Sequence, residues 1–221
     1  MSTLNAPALS ALINRLFTEA DAAENGRWPS MRATDRSDYL KYYGLLKDQP
    51  LAVSRDTGTL LYMLARAIGA RSIVEFGTSF GISTLHLAAA LRDNGGGRLI
   101  GSEFEPSKIK RARENLTAGG LSDLVEIREG DALQTLARDL PDSIDFVLLD
   151  GAKALYPPVL SLLEARLRDG ALIVADNADD SPEYLARVRA ANSCFLSVPF
   201  GEDVELSMRL KNAGNSAASH G

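Results

Sequence analysis

Residues 71–103 read RSIVEFGTSFGISTLHLAAALRDNGGGRLIGSE: an apolar run, a glycine loop, a stretch with helical spacing and a second apolar run. Runs that are apolar on both faces and are separated by a helix are typical of buried parallel strands. This stretch therefore predicts a strand–helix–strand unit. Three more apolar runs extend the pattern, so that predicted strands occupy Arg71–Phe76, Arg98–Glu103, Leu124–Arg128, Ile144–Leu149 and Ala171–Ala175.

The segments between these runs have helical spacing. Predicted helices cover Ile82–Arg92, Pro106–Ala118, Ala132–Leu140 and Pro157–Arg168, and Gly170 is expected to end the last of them. A short helix opened by Ser181 is followed by two extended segments, Phe195–Val198 and Val204–Leu210, which predict an antiparallel hairpin. The predicted fold class is α/β: a doubly wound, mostly parallel seven-stranded sheet of Rossmann-like type, with helices on both faces and a C-terminal hairpin.

The N-terminal part has a different pattern. Its apolar residues recur at helical spacing and predict an amphipathic helix, with Leu9, Leu12, Ile13, Leu16 and Phe17 on one face. We expect residues 1–50 to form a helical cap or lid on a single domain that spans residues 1–211. The polar residues 212–221 lack core-forming side chains and are predicted to be disordered.

Composition excludes several classes of protein. The net charge of −5 disfavours a nucleic-acid partner, and one cysteine with two histidines excludes an intrachain disulfide and disfavours a multi-histidine zinc site. No apolar run approaches the roughly 20 residues that cross a bilayer. We therefore expect a cytoplasmic protein with neither a nucleic-acid nor a membrane partner.

The loop after the first predicted strand indicates the kind of cofactor. Ligands of open α/β sheets bind beyond the carboxyl ends of the strands. Gly77-x-x-x-Gly81 lacks the full glycine pattern of a dinucleotide loop, and Glu75 would repel phosphate but attract an ammonium group. This combination suits S-adenosylmethionine, and Glu103 at the end of the second strand can accept hydrogen bonds from both ribose hydroxyls. A tight turn without a cofactor is the alternative.

Oxygen donors and a lysine follow the fourth and fifth strands. Asp150, Asp176 and Asn177 offer only hard oxygen ligands, which select Mg²⁺ or a similar divalent cation. Lys153 lies just beyond the same strand end as Asp150, and a nearby cation would favour its neutral form as a general base. Taken singly, each residue also fits an ordinary turn or a solvated surface.

The stretch from Val53 to Asn177 resembles the class I S-adenosylmethionine-dependent O-methyltransferases of the catechol and caffeoyl-CoA type. The resemblance is carried by Val53-Ser54, by residues 74–83, by Ile100–Glu103, by Leu149–Lys153 and by Ala175–Asn177. It implies an enzyme that moves a methyl group to a hydroxyl of a small, catechol-like aromatic compound and depends on a divalent metal. A homodimer is also implied, with an interface that the N-terminal helix would suit.

The resemblance also implies roles for individual residues. Asp150, Asp176 and Asn177 would bind the metal, and Lys153 would be the catalytic base. An acid in the hairpin turn, Glu202 or Asp203, would face the substrate. Animal catechol enzymes have a larger pair where this chain has Gly151-Ala152, which would open room near the metal. The implied cofactor contacts are Val53, Glu75, Gly77, Thr78, Ser83, Glu103, Asp131, Ala132 and Asp150.

Two other functions share these features. A nicotinamide-dependent oxidoreductase would have the same fold, although the glycine spacing and Glu75 disfavour it. A non-catalytic S-adenosylmethionine-binding protein would need the glycine loop but not the oxygen donors. Metal binding therefore separates this second alternative from the enzyme.

Overall fold

Seven strands form one sheet in the computed structural model, which describes residues 2–25, 44–201 and 203–211. The strand order is β3-β2-β1-β4-β5-β7-β6; the first five strands are parallel, and β7 is antiparallel to both of its neighbours. This topology confirms the predicted sheet and hairpin. The strands are β1 (Ser72–Phe76), β2 (Arg98–Glu103), β3 (Val125–Glu129), β4 (Ile144–Leu149), β5 (Leu167–Ala175), β6 (Phe195–Phe200) and β7 (Val204–Arg209).

Helices cover both faces of this sheet because successive residues of each strand point to opposite sides. In β1, Ile73 packs against one helical layer and Val74 against the other. Among the described residues, no helix has the length and apolar character that a membrane crossing requires. The helices are α1 (Pro7–Asn25), α2 (Arg55–Ala67), α3 (Ile82–Asp93), α4 (Pro106–Ala118), α5 (Ala132–Thr135), α6 (Tyr156–Leu163) and α7 (Pro182–Arg189).

The apolar face of α1 is buried within the chain. Leu9, Leu16 and Phe17 are at most 4% exposed, and the helix packs on α3 and α4. The apolar face is therefore part of the domain core, and the expected homodimer, with an interface that this helix would suit, stays a prediction. Residues 26–43 and 212–221, which hold the rest of the expected lid and the expected tail, lie outside the described residues.

The predicted helix from Ala132 is shorter than expected. It ends at Thr135 and not at Leu140. The Arg128 guanidinium donates hydrogen bonds to the main-chain carbonyls of Thr135, Arg138 and Asp139, and it holds the chain in a turn at this point. A side chain from a neighbouring strand therefore sets this boundary, against the local helical pattern.

Gly170 does not end a helix, as the sequence pattern predicted, but lies inside β5. Ile144 pairs with Leu167 and Phe146 pairs with Leu172, so β5 has extra residues opposite β4 and forms a bulge. Gly170 has a φ of +76° within this bulge, a conformation that favours glycine. The preceding helix α6 accordingly ends at Leu163, several residues before the predicted end.

Asp145 ties together the starts of three strands. Its carboxylate accepts hydrogen bonds from the main-chain N–H groups of Arg71 and Ser72, over 2.8 and 2.9 Å, and from Arg168 Nε over 2.5 Å. Burial alone would raise the pKa of Asp145, but these hydrogen bonds outweigh burial and hold the pKa below its usual value. The ionised carboxylate therefore stabilises the register of β1, β4 and β5.

We expect Asp145→Asn to lower the free energy of unfolding at pH 7 by about 1.5–3 kcal/mol, the usual value of hydrogen bonds to a charged group. Urea denaturation of the wild type and the variant measures this difference. Asp142→Asn is the matched control, since Asp142 is exposed and its ion pair with Arg166 spans 3.4 Å. Equal losses for the two variants would contradict a special role for Asp145.

Candidate active site

Main-chain hydrogen bonds carry the sheet one residue beyond the ends of β4 and β5. The N–H of Asp150 donates to the carbonyl oxygen of Phe76 over 2.8 Å, and the N–H of Asp176 donates to that of Leu149 over 2.9 Å. The first residues after these parallel strands are thus held side by side. The predicted convergence of Asp150 and Asp176 at one edge of the sheet follows from this register.

Gly77 allows the loop after β1 to pack directly against Asp150. Its φ is +98°, and a Cβ atom at this position would come within 3.0 Å of the main chain of Asp150. Any side chain would therefore clash with backbone, which cannot move aside as a flexible side chain can. Gly77 is required both by its conformation and by the close approach.

A cleft lies between this loop and the ends of β2, β3 and β4; we call it the loop cleft. Five of the residues expected to contact a cofactor line it: Gly77, Glu103, Asp131, Ala132 and Asp150. Ser79 and Lys108 also line the loop cleft and were not predicted. The predicted cofactor residues of four different strand ends therefore meet in one space.

Main-chain amides hold the Glu103 carboxylate in the loop cleft. It accepts hydrogen bonds from the N–H groups of Ser79, Phe104 and Glu105 over 2.8 to 3.0 Å. A carboxylate has about four lone-pair sites, so acceptor capacity remains for a ligand. The carboxylate is thus oriented by the backbone before any ligand arrives.

Glu75, Thr78 and Ser83 form a buried network behind the wall of the loop cleft. The Glu75 carboxylate is fully buried and accepts hydrogen bonds from Ser83 Oγ at 2.7 Å, Thr84 Oγ1 at 2.6 Å and Thr78 Oγ1 at 3.1 Å. Burial raises the pKa of Glu75 to about 7, although the hydrogen bonds from the three hydroxyl groups lower it. The three residues expected to contact a cofactor are therefore buried in this structure. Thr84 belongs to the same hydrogen-bond network, although the sequence did not indicate it.

A second space adjoins the loop cleft; we call it the acidic cleft. Its polar wall contains Asp150, Asp176, Asn177 and Asp203, and Val53 lies on its apolar side. Asp150 lines both clefts. Of the two acids expected to face a substrate, Asp203 is brought to this wall, whereas Glu202 lies outside the described residues.

Asn177 and Asp203 hold each other in the acidic cleft. Asn177 Nδ2 donates to a carboxylate oxygen of Asp203 over 2.7 Å, which leaves the amide oxygen of Asn177 as its remaining polar atom. Asn177 has a φ of +46°, a left-handed conformation that asparagine tolerates better than most residues. The turn conformation and the hydrogen bond together orient the amide.

The acidic cleft has an excess of buried negative charge. Burial, and then the neighbouring Asp150, raise the pKa of Asp176 to about 7. Burial likewise raises the pKa of Asp150, although Lys153 opposes that change. Two carboxylates and an amide oxygen are ligands that suit a hard divalent cation. Within the described ranges, no three His, Cys, Asp or Glu side chains group closely enough to hold a metal alone, so such a site would also need Asn177.

Lys153 links the two carboxylate-bearing strand ends. Its Nζ donates to Asp150 Oδ1 over 3.1 Å and to the Tyr156 hydroxyl over 2.7 Å. The Tyr156 hydroxyl in turn donates to the main-chain carbonyl of Asp176 over 2.8 Å. Tyr156 is a positioning residue for Lys153 that the sequence analysis did not indicate. Its position three residues after Lys153, at the start of a predicted helix, could have indicated this contact.

The space beside Gly151 is filled on one side by an aromatic ring. The Phe76 ring lies against Gly151, and a Cβ atom at this position would come within 3.0 Å of three ring carbons. Gly151 and Ala152 nevertheless both line the loop cleft, and the expectation that this pair opens room near a metal stays a prediction. A larger residue at position 151 would require Phe76 to move.

Known proteins are similar to this chain in sequence. Residues 74–178 match the family model of a methyltransferase domain. A catechol O-methyltransferase of Niastella koreensis is 35% identical over 130 residues, which are 58% of each chain. A catechol O-methyltransferase of Mycobacterium tuberculosis is 37% identical over 127 residues, 58% of this chain and 57% of that protein. The aligned region thus spans less than two thirds of these relatives' own length.

Solved structures extend the similarity to almost the whole chain. The O-methyltransferase TomG from Streptomyces achromogenes, in complex with S-adenosylmethionine, is 26% identical with a TM-score of 0.65 and covers 90% of this chain and 98% of its own. A putative O-methyltransferase from Klebsiella pneumoniae, 23% identical with a TM-score of 0.69 over 91% and 90% of the two chains, shows the same fold. The fold is that of the Rossmann-like methyltransferases among these structures. The chain is thus similar to known O-methyltransferases, in sequence over more than half of its length and in fold over about nine tenths of it.

The buried Glu75 carboxylate makes stability depend on pH in a testable way. Its pKa is about 7 in the folded protein against 4.5 for an ordinary glutamate, so the folded state binds the proton more tightly than the unfolded chain does. The contribution of Glu75 to stability therefore falls as pH rises from about 4.5 to 7. At about 1.4 kcal/mol per pKa unit, the effect amounts to about 3 kcal/mol.

Glu75→Gln removes this titration. As pH rises from 4.5 to 8, we expect the difference in the free energy of unfolding between the variant and the wild type to change by about 3 kcal/mol in favour of the variant. Urea denaturation across this range measures the change, and Glu129→Gln, at an exposed position, should show none. Parallel pH profiles for the wild type and Glu75→Gln would contradict the raised pKa.

Proposed function

We propose that this protein transfers the methyl group of S-adenosylmethionine to a hydroxyl of a small, catechol-like aromatic compound and requires a divalent cation. The observation that carries the proposal is the position of Asp150 on the wall between the two clefts, with Lys153 hydrogen-bonded to it and Asp176 beside it. A methyl donor in one cleft and an acceptor in the other would meet at this wall.

The loop cleft suits the donor. The Glu103 carboxylate can accept hydrogen bonds from ribose hydroxyls, and Asp131 and Ala132 would lie by the adenine. Gly77 lets the backbone approach the amino-acid end of the cofactor, where the charge of the buried Glu75 would attract an ammonium group. The S-adenosylmethionine bound to the structurally similar TomG supports this assignment, and it favours a methyltransferase over the nicotinamide-dependent alternative.

The acidic cleft suits a cation and an aromatic acceptor. Asp150, Asp176 and Asn177 would hold the cation, which when bound would favour ionisation of a hydroxyl on a chelated aromatic diol. Phe17, Leu51 and Val53 supply apolar surface to the same cleft, which suits an aromatic ring. The names of the catechol O-methyltransferase relatives support a small aromatic acceptor.

Lys153 would move the proton. In its neutral form, the amine accepts the hydroxyl proton of the acceptor while Tyr156 and Asp150 keep Nζ in place. The acceptor oxygen then forms a bond to the methyl carbon as the carbon–sulfur bond breaks, and the sulfonium becomes a neutral thioether. The step depends mainly on the alignment of the reacting atoms, which the shared wall of the clefts would provide.

We expect Lys153→Met to lower the turnover number for catechol by about 10²- to 10⁴-fold, the usual contribution of a general base. Affinity for S-adenosylhomocysteine should stay within about twofold of wild type, because Lys153 does not line the loop cleft. Single-turnover methylation assays and titration calorimetry measure the two quantities.

Lys110→Met is the control for Lys153→Met, since Lys110 is an exposed lysine on α4. Its turnover number should equal that of the wild type. An unchanged single-turnover rate in Lys153→Met would contradict the proton-transfer role while leaving the methyltransferase assignment intact.

A second prediction concerns the metal. Asp176→Asn should weaken Mn²⁺ binding by more than about tenfold, since one of two carboxylate ligands is lost. Titration calorimetry of the folded protein measures this binding, and Asp179→Asn, at an exposed position nearby, should bind Mn²⁺ like the wild type. Full methyl transfer by the wild type in excess chelator would contradict the metal requirement.

A further inference from the structure

Lys108 is a buried lysine on the wall of the loop cleft. It lies near the start of α4 and is 3% exposed. In the part of the chain that the structure describes, its ammonium group makes no hydrogen bond or ion pair. Its Nζ lies over the face of the Phe80 ring, 5.9 Å from the ring centroid. That distance is at the outer limit of a cation–π interaction.

An ammonium group in this position is costly for the fold. Lysine is almost never buried without a partner, because the charged group loses its hydration. Burial lowers the pKa of Lys108, while the charges of Glu103, Asp150 and Glu105 raise it. The surrounding carboxylates thus favour the charged form without bonding to it directly, and the ammonium remains available to a ligand in the loop cleft.

The neighbours of Lys108 indicate which part of a ligand it would meet. Lys108 and Glu103 both line the loop cleft, and they lie on either side of Pro106, the first residue of α4. Glu103 is anchored by three main-chain amides and presents its remaining acceptor capacity to the cleft. A hydroxyl group both donates and accepts hydrogen bonds, so a carboxylate and an ammonium can bind the same hydroxyl.

We propose that Lys108 is a cofactor-binding residue that donates hydrogen bonds to the ribose hydroxyl oxygens of S-adenosylmethionine, opposite the acceptor Glu103. This inference rests on the proposed function. It adds a charged donor to a ribose site that the sequence assigned to Glu103 alone. It also accounts for a lysine that has no partner within the described protein.

The test is titration calorimetry with two probes: S-adenosylhomocysteine and an analogue of it that lacks both ribose hydroxyls. Lys108→Met should bind S-adenosylhomocysteine about 10- to 100-fold more weakly than the wild type, as expected for loss of a charged hydrogen bond. The analogue should bind to the wild type and to Lys108→Met with equal affinity. Lys110→Met, on the same helix but exposed, should match the wild type with both probes.

Lys108→Gln keeps a neutral donor and should bind S-adenosylhomocysteine with intermediate affinity; it also serves if Lys108→Met does not fold. Unchanged or tighter binding of S-adenosylhomocysteine by either variant would overturn the proposal, since the lysine would then only fill an empty cleft. An equal loss of affinity for both probes would also overturn it, because the lysine would then not act on the hydroxyls. A wild-type protein that binds neither probe would contradict the proposed function itself.

Discussion

The contact between the main chains of Gly77 and Asp150 is the constraint on which the site depends. It brings the loop after β1 against the end of β4, with no side chain between them. At this contact, Asp150 lines both the loop cleft and the acidic cleft, as Leu51 does from another side. The hydrogen bond from the Asp150 N–H to Phe76 fixes the same pair of strands from the other direction. In the proposed reaction, the methyl donor and the acceptor would share one wall, and the glycine at position 77 permits the close approach that forms this wall.

Patterns within short stretches predicted most of the sheet and the site, because strand burial and strand-end residues are local properties of a parallel sheet. Features that depend on distant neighbours were not predictable in this way. Gly170 lies in a bulge because β4 offers fewer partner residues than β5 has at this point. The periodicity of α1 shows that one face of the helix is buried, but it does not show which elements cover that face. Thr84, Tyr156 and Lys108 are ordinary residues in the sequence, and only the fold brings them to Glu75, to Lys153 and into the loop cleft.

The site concentrates unfavourable electrostatics in a small volume. Glu75 and Asp176 both have a pKa of about 7 because burial removes their hydration, and Lys108 is buried with no direct partner among the residues that the structure describes. Such groups lower the stability of the empty protein. Each would be compensated by a ligand of opposite or complementary charge: an ammonium near Glu75, a cation near Asp176 and hydroxyl oxygens near Lys108. Binding energy and folding energy are therefore coupled through the same side chains.

Asn177 combines two requirements that most positions meet separately. Its backbone needs a residue that tolerates a positive φ, and its side chain needs an amide that reaches Asp203. Glycine would satisfy the first requirement alone, and glutamine the second alone. In the proposed metal site, an exchange of the oxygen donor at position 177 for a sulfur or imidazole donor would thus meet a geometric obstacle. Reshaping the preceding strand terminus would have to come before any change of ligand chemistry there.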